Sequence, residues 1–207
     1  MSENIKLYID QKEIEATVGS NLLQTAKDNG IVIPNLCYHK KLSPTGACRL
    51  CLVKIEGQNG MITSCSTEVK DGMKVIAFDQ ELEETRRNLL DQLLAEHNEH
   101  YDATYSDEFR DLILRYDLDK VENRNSESLV EVLDFHQDFS SRILNYDSSK
   151  CIKCYRCIKA CDEVQGKKVL SMNERGINSY VVAGIGVWNA AWSGRNGPLW
   201  ECACLDG

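Results

Sequence analysis

Residues 5–10 (Ile-Lys-Leu-Tyr-Ile-Asp) alternate apolar and polar, the period-two pattern of a strand with one buried face. Gln11-Lys12 reads as a turn, and Glu13–Thr17 as a second strand. Ser20 is positioned to cap a helix over residues 21–29, with Gly30 as its stop signal. Cys51–Glu56, Met61–Ser66 and Lys74–Ala77 are strand-like and separated by glycine-containing turns. Two strands, a helix and further strands predict a small α+β unit over residues 1–78.

The period then changes. Leu82, Leu89, Leu90, Leu93, Leu94 and His97 share one helical face, and Glu83 stands four residues before Arg87, the spacing of a surface ion pair. Phe109, Leu112, Ile113 and Tyr116 form a second amphipathic face. Residues 118–140 are acidic and contain Ser and Asn, as a linker does. These patterns predict a helical connector over residues 79–140 and a third region over 141–207, with no internal repeat.

Composition narrows the function. The net charge is −8 and no basic patch stands out, so a nucleic-acid partner is not expected. The first residues, Met1-Ser-Glu-Asn-Ile-Lys, lack a basic-then-apolar leader pattern. The longest mostly apolar stretch, residues 181–192, is too short to span a bilayer and includes two glycines. The expectation is a cytoplasmic protein with no transmembrane segment.

Ten cysteines change the picture most. Cytoplasmic thiols stay reduced, so metal binding is a better reading than disulfides. Four lie between 37 and 65, four between 151 and 161, and two at 202 and 204. The first group reads Cys37-x10-Cys48-x2-Cys51-x13-Cys65. Four soft thiolates suit a [2Fe–2S] cluster, two per iron. Gly46 and Ala47 leave room for backbone N–H groups to approach the sulfurs, and those bonds with the charge of Arg49 would raise the reduction potential. A structural Cys₄ zinc site is the alternative, although such sites usually use two close pairs, and here Cys37 and Cys65 are single.

The second group, Cys151-x2-Cys154-x2-Cys157-x3-Cys161, is the bacterial-ferredoxin run for a [4Fe–4S] cluster. Cys151, Cys154 and Cys157 are three expected ligands. The fourth is Cys161 in a simple layout, or Cys202 or Cys204 in a two-cluster layout, and both stay open. Two cubanes would need eight thiolates, whereas only six cysteines lie beyond residue 150. One [2Fe–2S] and one [4Fe–4S] cluster are therefore expected.

The strings Cys37-Tyr-His-Lys-Lys-Leu-Ser-Pro, Gly46-Ala-Cys48-Arg49-Leu-Cys51-Leu-Val53, Ser64-Cys65 and Gly72-Met73-Lys74-Val75 resemble the N-terminal [2Fe–2S] domain of the large iron–sulfur subunit of respiratory complex I. The same module occurs in the diaphorase-type subunit of bidirectional NAD-linked [NiFe]-hydrogenases, in iron-only hydrogenases and in some formate dehydrogenases. The resemblance implies a β-grasp, plant-ferredoxin-like domain, followed by a bacterial-ferredoxin-like [4Fe–4S] domain. Cys161-Asp-Glu-Val-Gln-Gly166 and Arg175-Gly176-Ile-Asn-Ser extend it, the latter leaning toward the hydrogenase subunit. The family usually carries another [4Fe–4S] centre with the pattern H-x3-C-x2-C-x5-C. Counting from His97 lands on Tyr101, Thr104 and Arg110, so no cluster is expected there.

Neither a phosphate-binding glycine loop nor a nucleophile–base set is evident, so no catalytic residues are expected. The resemblance implies a one-electron relay within a hetero-oligomer. Its partners would be a flavin- and NAD(P)-binding subunit and a second redox module, a hydrogenase first among them. Alternatives are a subunit of a formate dehydrogenase or complex-I-like dehydrogenase, a free-standing ferredoxin, or a structural zinc protein.

Overall fold

The structure is a computed structural model and describes residues 4–96, 108–119, 137–138 and 146–183. The described residues fall into two compact units. One holds residues 4–40, 44–92 and 108–119; the other holds 41–43, 93–96, 137–138 and 146–183.

The first unit is built on a five-stranded sheet of order β2-β1-β5-β3-β4. Its strands are β1 (Asn4–Ile9), β2 (Lys12–Thr17), β3 (Leu52–Ile55), β4 (Ile62–Thr63) and β5 (Lys74–Ile76). β1 pairs antiparallel with β2 and parallel with β5, while β5 pairs antiparallel with β3. The alternation in β1 works as the pattern requires: Ile5, Leu7 and Ile9 are buried. Full burial of each such side chain stabilises by roughly 1.5–3 kcal/mol. The hairpin turn lies one residue earlier than the sequence suggests. Asp10 and Gln11 both take positive φ (48° and 69°), which matches the twist of the flanking strands, and Lys12 already belongs to β2.

Helix α1 (Leu22–Asp28) buries Leu22, Leu23, Thr25 and Ala26. Its cap is Asn21, not Ser20: the Asn21 side chain accepts from the Gln24 N–H at 3.0 Å. Ser20 instead bonds the Thr17 carbonyl and the Thr25 hydroxyl. Gly30 follows the helix with φ +79°, the left-handed stop its sequence position predicts.

Helix α2 (Gln80–Ala95) buries Leu82, Arg86 and Leu90, one residue per turn along one stripe. Asp79 accepts from the Leu82 N–H at 2.8 Å and so closes the start of this helix. The expected pair of Glu83 with Arg87 does not form. Glu83 pairs with Arg86, and Arg87 donates to the Tyr116 carbonyl at 2.6 Å. Helix α3 (Glu108–Arg115) buries Phe109, Leu112 and Ile113, with Tyr116 buried just beyond. Leu118 is buried too, so the first unit continues into the stretch read as linker.

In the second unit a short pair joins β6 (Gln137–Asp138) to β7 (Tyr146–Asp147). Helix α4 (Arg156–Lys159) runs into a π-helical turn, Ala160–Val164. A longer hairpin follows, β8 (Leu170–Asn173) with β9 (Tyr180–Ala183). Among its described residues only Cys161 and Val181 are buried, against a core of sixteen buried residues under the first sheet. Among the described residues, no helix is long and apolar enough to cross a membrane.

Candidate iron–sulfur sites

Cys37, Cys48, Cys51 and Cys65 come together in the first unit and are 4%, 7%, 0% and 0% exposed. Three local structures deliver Cys51, Cys65 and Cys48. Pairing of Leu52 with Thr63 places Cys51 and Ser64 at the mouth of the β3–β4 hairpin. There the Ser64 N–H and hydroxyl both donate to the Cys51 carbonyl, at 3.0 and 2.8 Å. Cys65 sits in the short 3-10 turn Ser64–Ser66. The Asn21 side-chain amide donates to the Cys65 carbonyl at 2.5 Å, so the residue that caps α1 also holds this turn. Cys48 lies between Gly46 and Arg49, whose φ angles of 65° and 57° bend the loop back on itself.

The sulfurs form a chain of contacts. Cys48 Sγ is 3.5 Å from Cys37 Sγ, and the Cys65 thiol contacts both Cys37 and Cys51. Proton affinity divides along this chain. The S–H bond from Cys48, and then the contact with Cys65, hold the Cys37 thiol well below its usual value. Contact with Cys65 also holds the Cys51 thiol below its usual value. Cys48 and Cys65, the donors, are pushed up, with burial adding to the effect. Backbone N–H groups of Ala47 and Cys48 also aim at the Cys37 sulfur, as the small residues at 46 and 47 predict.

This donor set fits a [2Fe–2S] cluster. Four soft sulfurs are buried together in a continuous chain of contacts, with N–H donors to carry negative charge. Arg49 is exposed, so water screens its charge.

In the second unit Cys151 and Cys154 are half-buried, Cys157 is exposed and Cys161 is buried. Cys151, Cys154 and Cys157 lie close enough to interact electrostatically. Lys153 and Tyr155 take positive φ (53° and 64°), curling the chain between these three cysteines. The Lys153 ammonium anchors that curl, donating to the Ile177 carbonyl at 2.6 Å and pairing with Glu96 at 2.7 Å. Tyr146 accepts from the Val181 N–H at 2.9 Å, and its hydroxyl proton is directed to the Cys151 sulfur. Burial pushes the Cys151 thiol up. Three clustered thiols of a C-x2-C-x2-C curl fit one face of a [4Fe–4S] cluster. Cys202, Cys204, His97, Tyr101 and Thr104 lie outside the described residues, and Arg110 sits on α3. Asn21, Arg86 and Tyr146 escaped the sequence reading. Of the three, only Asn21 carries a signal, as a good capping residue next to Ser20.

Two ferredoxin-type units, each with its own cysteine site, define an iron–sulfur protein. Family models agree: one for a 2Fe-2S iron-sulfur cluster binding domain matches residues 2–77, and one for the NADH-quinone oxidoreductase subunit 3 ferredoxin-like domain matches 141–187. The gamma subunit of the NAD-reducing hydrogenase HoxS of Cupriavidus necator is 30% identical over 187 residues, which cover 86% of this chain and 75% of that one. An NADH-quinone oxidoreductase subunit of Rhizobium meliloti is 35% identical over 182 residues. That match covers 86% of this chain but 21% of the relative, so the chain spans about a fifth of that relative's length. The crystal structure of an NAD+-reducing [NiFe]-hydrogenase in its H2-reduced state aligns with TM-score 0.75 and 26% identity, covering 96% of this chain and 79% of that one. The chain belongs to the family of iron–sulfur subunits shared by complex I and the NAD-reducing hydrogenases.

Proposed function

We propose that this chain relays single electrons within an NAD(P)H-linked oxidoreductase complex. The observation that carries this reading is the set of four buried cysteines whose sulfurs form a chain of contacts, in a chain of this family. Cys37, Cys48, Cys51 and Cys65 hold one [2Fe–2S] cluster. Cys151, Cys154 and Cys157 hold one [4Fe–4S] cluster, with Cys161, Cys202 or Cys204 as fourth ligand. The positions His97, Tyr101, Thr104 and Arg110 hold none. Each cluster, when bound, takes up and releases one electron at a time. The protein's part is to bury the sulfurs, aim N–H groups at them and set the potentials.

The division is a [2Fe–2S] domain over 1–78, a helical connector over 79–140 and a [4Fe–4S] domain over 141–207. The chain works in the cytoplasm in a hetero-oligomer. A flavin- and NAD(P)-binding subunit lies on one side and a hydrogenase on the other, by likeness to the HoxS relative. A complex-I-like dehydrogenase is the second reading, favoured by the 35% identity to the Rhizobium meliloti oxidoreductase chain.

Iron and acid-labile sulfide per chain, with EPR after dithionite reduction, test the relay. About six irons with separable [2Fe–2S] and [4Fe–4S] signals are expected, whereas about ten would require a further cubane. Zinc in place of iron would end the electron-carrier reading. Mass spectrometry of co-purifying subunits separates hydrogenase from dehydrogenase, and a lone monomer would point to a free ferredoxin.

A further inference from the structure

Arg86 is the largest fully buried side chain among the described residues, 0% exposed, on a helix that contributes no cysteine. Its Nε donates to the Leu50 carbonyl at 3.0 Å. Its Nη2 donates to the Leu52 carbonyl at 2.6 Å and to the Ala77 carbonyl at 2.8 Å, and its Nη1 pairs with Glu83. The guanidinium carbon lies 5.2 Å from the centroid of the Phe78 ring. Two of the three carbonyls flank Cys51. A trans peptide points its N–H opposite to its C=O, so the grip on Leu50 also sets the direction of the Cys51 N–H, away from α2. A guanidinium cannot shed its proton in a protein, so a full positive charge sits against the backbone of a cluster-binding loop. Its anionic partner, Glu83, is 37% exposed and therefore better screened by water than Arg86 is.

We infer that Arg86 is the positioning residue that fixes the Cys48–Cys51 loop and the fixed positive charge that raises the potential of the cluster held there. This inference rests on the [2Fe–2S] reading above. Reduction adds negative charge to the cluster, and a buried cation only partly cancelled by a half-exposed carboxylate stabilises that state. Glu83 opposes it from the other side of the guanidinium. The pair therefore makes predictions of opposite sign, which a purely structural clamp does not.

The test is the EPR-monitored midpoint potential of the [2Fe–2S] centre in the whole protein. Glu83→Gln keeps an acceptor for Arg86 and removes only the negative charge. Its reduced-to-oxidised ratio at the wild-type midpoint should rise about threefold, or about 28 mV at 59 mV per tenfold for one electron. Arg86→Lys keeps the charge and loses the fork, so its midpoint should stay within that range while iron is lost to a chelator at least about tenfold faster. An unchanged or lowered midpoint in Glu83→Gln overturns the electrostatic role. Unchanged iron retention in Arg86→Lys overturns the positioning role. A wild-type protein without a [2Fe–2S] signal would instead remove the cluster reading itself, and this inference with it. Arg86→Met leaves three carbonyls without donors and is expected to unfold, so the first two variants decide.

Discussion

The two cysteine sites have similar ligand chemistry on unlike scaffolds. In the first unit Cys51 and Cys65 belong to the continuous apolar core of the five-stranded sheet, and cysteine-bearing segments are tied to elements that carry no cysteine. Asn21 of the α1 cap holds Cys65, and Arg86 of α2 holds both neighbours of Cys51. Among the described residues of the second unit only Cys161 and Val181 are buried, the helix after the curl has four residues, and the anchors are Lys153 and Tyr146. The contrast teaches where folding energy comes from. A site behind an apolar core is shaped before its metal arrives. A site with few buried side chains among its described residues is expected to draw more of its order from the metal.

The largest expected effect breaks the comparison directly. When iron is stripped by a chelator under anaerobic reducing conditions, amides of β1 and β5 should keep their hydrogen-exchange protection. Amides of residues 151–164 should exchange at least about a hundredfold faster than in the loaded protein. Equal loss in both units would show that the first site also depends on its cluster.

Next in size is a comparison of cores. Leu7→Ala, at a fully buried position of β1, should cost about 2–5 kcal/mol in urea unfolding of the first unit. Leu170→Ala, at a half-buried position of β8, should cost about 1 kcal/mol. Comparable losses would contradict the difference in core.

The smallest effect concerns pH. The Lys54 ammonium, and then the Leu82 N–H, hold the Asp79 carboxyl below its usual range. A lowered folded value means that its contribution is fully present above the ordinary carboxylate value, about 3.9, and fades as pH falls below it. Asp79→Asn preserves a capping oxygen and removes the charge. The stability gap between wild type and this variant should be constant from neutral pH to about pH 5 and close below about pH 4. Asp79→Ala, which loses the cap as well, should cost about 1 kcal/mol at neutral pH.

What the sequence disclosed follows the same contrast. Cysteine spacing singled out the four thiols that the first unit buries together and the three that lie near one another in the second. Alternation located β1, and the i, i+3, i+4 spacing located the α3 face, because both are set by one buried surface. The errors came where a polar residue does structural work. Arg86 escaped the sequence reading altogether, and only the folded chain shows three carbonyls waiting for it. That placement also explains the Glu83 pairing: the guanidinium is fixed inward, and the carboxylate one turn away meets it there. The hairpin turn slipped by one because Asp10 and Gln11 carry no glycine to announce their positive φ. Ser20 and Asn21 are both good caps, and propensity alone does not choose between neighbours.

The parallel pairing of Tyr8 with Lys74 and Ile9 with Val75 has a consequence for biosynthesis. The first strand to leave the ribosome cannot find its central partner until the last strand of the sheet has been translated. At about 5–20 residues per second that wait is roughly 3–13 s. All four thiols from Cys37 to Cys65 emerge within this interval, while the sheet that will enclose them is still open. Nascent chains thus pass through a period in which these four thiols are open to solvent and to oxidants, and the emergence of β5 ends it.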